Sequence, residues 1–149
     1  MKIKWTGFFL VALCGFLLVL FFGIPTPNVL NHAYTGVVAN IREHNGDLSV
    51  NNLELAPDAA EDVLTAIQSH SYARRFPNGS IISPGPARAA MLFLVYEEEG
   101  TQKHDLFLIT NAGVISIDTF ETSGSYFFLP RNAKAQKQLF ETILNSIEK

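Results

Sequence analysis

A chain of 149 residues, with 11 Lys and Arg against 14 Asp and Glu for a formal charge of −3, has the length for one ordinary core. The acidic balance excludes a nucleic-acid binder, which needs a basic face to neutralise phosphates. With a single cysteine, the chain can form no internal disulfide, so stability must come from the core.

Thr6 to Ile24 is an unbroken run of nineteen uncharged, mostly apolar residues. As a helix it would rise about 28 Å, near the thickness of a bilayer's hydrocarbon core, with every backbone polar group satisfied internally. The run is longer than a secretory h-region, and bulky Phe21 sits where a cleavage site after Gly23 needs a small residue. It is therefore expected to stay uncleaved. Cys14 fails as a lipid-attachment cysteine, because Leu13 is too large and eight apolar residues follow; in lipid it is a small hydrophobe. Lys2 and Lys4 precede the run and the first cation after it is Arg42, so the N-terminus is expected in the cytoplasm and the rest outside. The expected organisation is a cytoplasmic 1–5, a transmembrane helix 6–24, a linker 25–33 and an extracytoplasmic α+β domain 34–149.

Removing Lys2 and Lys4 from the 11 cations leaves nine against all 14 acids, so the outer part carries about −5. A cysteine-free domain outside a membrane fits a bacterial envelope better than a small disulfide-stapled secreted protein. Pro25 and Pro27 favour an extended exit from the membrane. Tyr34 to Arg42 reads as a strand, Asn45-Gly46-Asp47 as a hairpin turn and Leu48 to Leu55 as the returning strand. Leu48 and Val50 lie in one phase of the alternation and Leu53 and Leu55 in the other, which predicts a bulge at Asn51-Asn52.

Pro57, with Asp58, Glu61 and Asp62 following, marks a helix start, and Ala60, Val63, Leu64 and Ile67 form its apolar stripe. Tyr72 to Phe76 reads as a short strand, and Pro77 to Pro86 as a loop rich in Pro, Gly and Ser. Four strands then follow as an antiparallel meander: Ala89–Glu97, Asp105–Thr110, Val114–Phe120 and Ser125–Leu129. A last helix should run from an N-cap at Asn132 to about Ile147, with Leu139, Phe140, Ile143, Leu144 and Ile147 on one face. The expected fold is α+β, a mainly antiparallel meander sheet packed by two helices behind an N-terminal transmembrane helix.

Met91 to Tyr96 and Leu106 to Ile109 are apolar in both phases, so both faces of the sheet need cover. That cover could come from helices split between the faces, from the hairpin folding across, or from a partner protein. Tyr126, Phe127 and Phe128, with Phe120, are the candidate interaction surface.

The chemistry-bearing residues do not assemble into a motif. His32, His44, His70 and His104 have no metal-ligand spacing to one another or to Cys14. Ser69-His70-Ser71 and His104-Asp105 contain triad residue types, but sequence neighbours point to different faces and no nucleophile elbow is present. Glu97-Glu98-Glu99 lacks the spaced oxygens of a calcium loop, and the prolines of Pro84-Gly85-Pro86 remove the amides a phosphate cradle needs. No catalytic, cofactor-binding or metal-binding residue is assigned. The leading expectation is a protein-interaction or accessory module of the envelope, held to the lipid bilayer by residues 6–24 and not acting as an enzyme. A small hydrolase using His70 or His104, and a structural or immunity-type protein, are the alternatives.

Overall fold

The computed structural model describes residues 5–26, 29–75, 87–120 and 122–148, with only the backbone of Trp5, Thr6, Leu20, Phe21, Phe22 and Ile24. The loop expected over 77–86 lies outside the described residues. Among them the chain is α+β, with three helices and an eight-stranded antiparallel sheet. In chain order these are α1 (Trp5–Phe22), β1 (Ile24–Thr26), β2 (Tyr34–Arg42), β3 (Leu48–Glu54), α2 (Pro57–Gln68), β4 (Tyr72–Arg74), β5 (Ala89–Glu98), β6 (Thr101–Thr110), β7 (Ile115–Asp118), β8 (Ser123–Phe128) and α3 (Ala133–Ile147). The sheet order is β1-β4-β8-β7-β6-β5-β2-β3, so the expected meander β5 to β8 forms its centre.

Helix α1 stops at Phe22, because Gly23 takes φ +69° and Ile24 opens a strand. Its Phe8, Phe9, Leu10 and Val11, four successive residues that circle the helix, are each between 66% and 73% exposed. No side of α1 is covered by the domain there. Among the described residues, no helix is long and apolar enough to cross a membrane, so the fold by itself does not carry the expected transmembrane helix. The 18 residues of α1 rise about 27 Å, and the described side chains from Gly7 to Val19 account for about 20 Å of that.

The stretch expected as a linker is docked on the domain. Ile24–Thr26 pairs antiparallel with Tyr72–Arg74, with Ile24 opposite Arg74 and Thr26 opposite Tyr72. Val29 and Leu30 are buried in the core cluster. A proline in β1 is tolerated because the strand is at the edge of the sheet, where a missing amide donor costs no ladder bond on the open side.

Local signals explain the other elements. In the β2–β3 hairpin, Gly46 adopts φ +92°, the Glu43 amide donates to the Asp47 carbonyl, and the Asp47 amide donates to Asn45 Oδ1. Ile41 faces Val50 and Ala39 faces Leu53, so one extra residue is accommodated at Asn51-Asn52, with Asn52 at φ +50°. The bulge keeps both Val50 and Leu53 on the side of the buried Ala39 and Ile41. The Asn52 amide donates to the side chain of the buried Asn40, which fixes the bulge. Helix α2 begins at Pro57, and Asn132 caps α3 by accepting from the Ala135 amide at 3.0 Å.

Helices α2 and α3 pack against each other, and their buried Val63, Ile67, Leu139, Phe140 and Ile143 meet Ile41, Leu92, Leu94, Phe107, Ile115 and Ile117 of the sheet. Each such fully buried side chain contributes about 2 kcal/mol of transfer free energy. Along β5, residues on the helix side (Ala90, Leu92, Leu94, Tyr96) are buried, whereas Met91, Phe93 and Val95 on the other side are only partly buried. The β2–β3 hairpin does not fold across that second face; it continues the sheet as its far edge.

Candidate functional site

Three groups of side chains invite a chemical reading: a buried carboxylate at the end of the core, a cleft beside β1, and the aromatics of β8. Asp105 lies on β6 opposite Leu94, on the helix side of the sheet, and is fully buried. Its neighbour His104 points to the other face and packs edge-on against Phe93 at 5.3 Å. Alternation along a strand thus separates the two residues that stand together in sequence.

The partners of Asp105 come from far along the chain. Tyr34 donates its hydroxyl to Asp105 Oδ2 at 2.7 Å, and His32 Nδ1 lies 2.8 Å from the same oxygen. The His32 ring stacks on Tyr96 with centroids 3.9 Å apart. Burial, reinforced by the hydrogen bond to Asp105 and its charge, pushes the Tyr34 phenol well above its ordinary range. Asp105 Oδ1 has no hydrogen-bond partner among the described residues. A hydrolytic dyad needs a hydroxyl presented to the histidine; here the hydroxyl donates to the acid, and its ionisation is opposed. What the geometry does is fasten residues 29–34 to the sheet.

The second group is a cleft of about 410 Å³ lined by Pro25, Thr26, Leu30, Ser69, His70 and Tyr72, among others. The His70 ring stacks on Phe128 at 3.8 Å, and burial lowers its pKa below the ordinary histidine range. Its imidazole is therefore neutral at pH 7. Ser69 Oγ donates to the Ala66 carbonyl and the Tyr72 hydroxyl to the Ile67 carbonyl, so these hydroxyls serve the end of α2. Burial raises the Tyr72 phenol too.

Of the four aromatics in the third group, Tyr126, Phe127 and Phe128 are buried, and Phe120 is 91% exposed. Tyr126 and Phe128 are enclosed on the helix side, and Phe127 packs beside Gly23 with Arg131 over its ring at 5.3 Å. Phe120 stands at the β7–β8 turn with Lys103 Nζ 5.7 Å from its centroid. Among the described residues, no group of three His, Cys, Asp or Glu side chains is placed to hold a metal ion. Glu98 pairs with Lys103 across the β5–β6 turn, which depresses the glutamate and raises the lysine.

Comparison with known proteins adds no relative. No protein-family model matches the chain. No curated protein and no solved structure matches it either.

The His32–Asp105 contact spans 73 positions of sequence, which explains why reading the chain locally leaves His32 in a linker and Asp105 beside the wrong histidine. The one local signal is an acid in a strand whose next four residues, Leu106 to Ile109, are all apolar; such an acid is either at a surface edge or buried with partners.

Proposed function

We propose that the chain is a single-pass, membrane-anchored extracytoplasmic binding module of a cell envelope, with its N-terminus in the cytoplasm. The observation that carries this reading is α1: an uncharged helix with apolar side chains exposed on all sides, joined to the sheet through Gly23 alone. In water such a surface is an exposed apolar patch far beyond what a soluble domain carries, whereas in lipid it costs nothing. The helix is about 3 Å shorter than a typical hydrocarbon core, a deficit that local bilayer thinning and flanking residues accommodate at fractions of a kcal/mol per Å. Lys2 and Lys4 ahead of α1 support the orientation.

The binding role rests on the fold rather than on chemistry. The hydroxyls of Tyr34, Ser69 and Tyr72 and the carboxylate of Asp105 are engaged in holding the chain to itself, and the surface left over is the second face, the edge and the ends of the sheet. The test is alkaline extraction of membranes from cells producing the full chain, followed by protease treatment from the outer side. The expected result is retention in the pellet with the domain digested and the N-terminus protected. Release by alkali would overturn the anchor, and protection of the domain would overturn the orientation.

A further inference from the structure

Where β3 ends and the two helices meet, the surface is hollowed into a groove of about 450 Å³. Its lining includes Leu53, Leu55 and Ile147, and Asp58 and Asp62 of α2 stand beside it, whereas Glu54, opposite Val38, turns to the other face of the sheet. Leu53 is 39% exposed although it lies on the core side of the sheet, opposite the fully buried Ala39, because the helices stop short of it. Neither of the two rim acids forms an ion pair among the described residues, while Glu43, Glu98 and Glu148 each pair with an arginine or lysine. The N-terminus of α2 and the C-terminus of α3 both border the groove, and their roughly half-unit dipole charges offset each other. The two carboxylates therefore set its sign.

We propose that this groove docks a basic amphipathic helix of a partner protein, with apolar side chains against Leu53, Leu55 and Ile147 and Lys or Arg on the rim acids. An apolar floor flanked by the uncompensated carboxylates of α2 is complementary to that pattern and repels an acidic one. A second copy of this chain is a poor occupant, since the domain is itself acidic and self-association would set acid against acid. Addition of a strand to β3 is opposed by the bulge at Asn52, which bends the edge beside the groove, so the occupant packs through side chains. The groove also sits at the opposite edge of the sheet from β1, seven strand spacings or about 34 Å from the point where α1 attaches, which is where an anchored module can reach a partner.

This proposal rests on the binding-module reading, and its test separates the two. The full chain in an uncharged detergent is titrated into a fluorescein-labelled Leu/Lys amphipathic helix, and into the same helix with every Lys replaced by Glu, with detergent alone as the reference. Anisotropy should report saturable, salt-sensitive binding of the Lys helix and none of the Glu helix. Asp58→Lys with Asp62→Lys should weaken binding about tenfold or more, and Leu53→Ser, which leaves the charge unchanged, should weaken it too. Glu97→Lys with Glu99→Lys at the β5–β6 turn makes the same change in net charge far from the groove and should alter binding by less than about twofold. Equal losses from the two double variants, or no loss from either, would overturn the groove as the site. Circular dichroism melts of each variant show whether it is folded, and Leu53→Ser gives an independent reading if the lysines disturb α2. Release from membranes by alkali would remove the anchor reading but leave these affinities unchanged.

Discussion

At one edge of the sheet, β1 is three residues long and joins α1 through a single glycine, and the strap that follows it buries Val29 and Leu30 and runs to β2, with His32 held on the way by Asp105 of the interior strand β6. At the other edge, β3 runs seven residues, six of them exposed, beside a groove rimmed by acids that pair with nothing in the described chain. The first edge spends its polar groups on its own backbone and side chains. The second leaves the carboxylates of Asp58 and Asp62 facing water. A sheet that is fastened at one edge and open at the other transmits the position of its anchor to whatever meets the open edge. We read the difference as a division between holding and contacting.

The comparison is sharpened most by removing the buried acid. Asp105→Ala strips two donors of their shared acceptor and leaves a void, and should cost about 3 kcal/mol in urea unfolding of the full chain in detergent. Leu53→Ser at the open edge should cost less than about 1 kcal/mol by the same measurement. Near-equal costs would remove the distinction between the fastened strap and the open edge. Next in size is Gly23→Ala. A Cβ there would stand 2.6 Å from the Arg74 carbonyl and from the Phe127 ring, on a backbone at φ +69°. The expected cost is about 2 kcal/mol, with faster amide exchange confined to β1 and β4. Loss of protection throughout the sheet would show that β1 is part of the core rather than a clamp on it.

The turn and bulge of the open edge and the helix starts were legible in the sequence, and the contacts that fasten the strap were not. Asn45-Gly46-Asp47, the slip in alternation at Asn51-Asn52, Pro57 and Asn132 act within a few residues, so their types announce the turn, the bulge and the helix starts that the structure contains. The strap depends on contacts such as His32 with Asp105, 73 positions apart, for which spacing carries no signal. Pro25 and Pro27 pointed to an extended exit from the membrane, and that extended backbone is what lets Ile24–Thr26 pair as an edge strand, where proline is tolerated. The aromatics of β8 looked available because a sheet apolar in both phases needs cover on its second face; their burial comes from helices on one side and from Gly23 and Arg131 beside Phe127 on the other. The groove was hidden for a different reason. Asp58 and Asp62 already had an explanation as partners of the α2 dipole, and only the meeting of α2, α3 and β3 turns them into a rim.

At the open edge, Asn40→Ala tests whether the bulge is held from within. The Asn52 amide would lose its acceptor in a half-buried position, at a cost of about 1 kcal/mol. Amide exchange should rise in β3 and stay unchanged at β1. If β3 straightened instead and the chain dimerised through that edge, the bulge would be shown to act as a guard against strand addition.

The smallest effect distinguishes the edges by acid. His70 borders the cleft that Pro25, Thr26 and Leu30 share with α2, and burial holds its pKa below the ordinary value of 6.5. Both states are neutral there above about pH 7. As pH falls through 6.5 the unfolded chain takes up a proton that the folded chain does not, so stability decreases with acidification until the pH passes below the folded value. The group is only partly enclosed and screened by solvent, which keeps the loss under about 1 kcal/mol. His70→Gln should flatten the decline of unfolding free energy between about pH 7 and pH 5, and mild acid should loosen amide exchange at β1 and β4 before it does so at β3. An identical pH profile in His70→Gln would mean that the desolvation of His70 is already relieved by water in the cleft. The anchored edge would then be no more sensitive to acid than the open one.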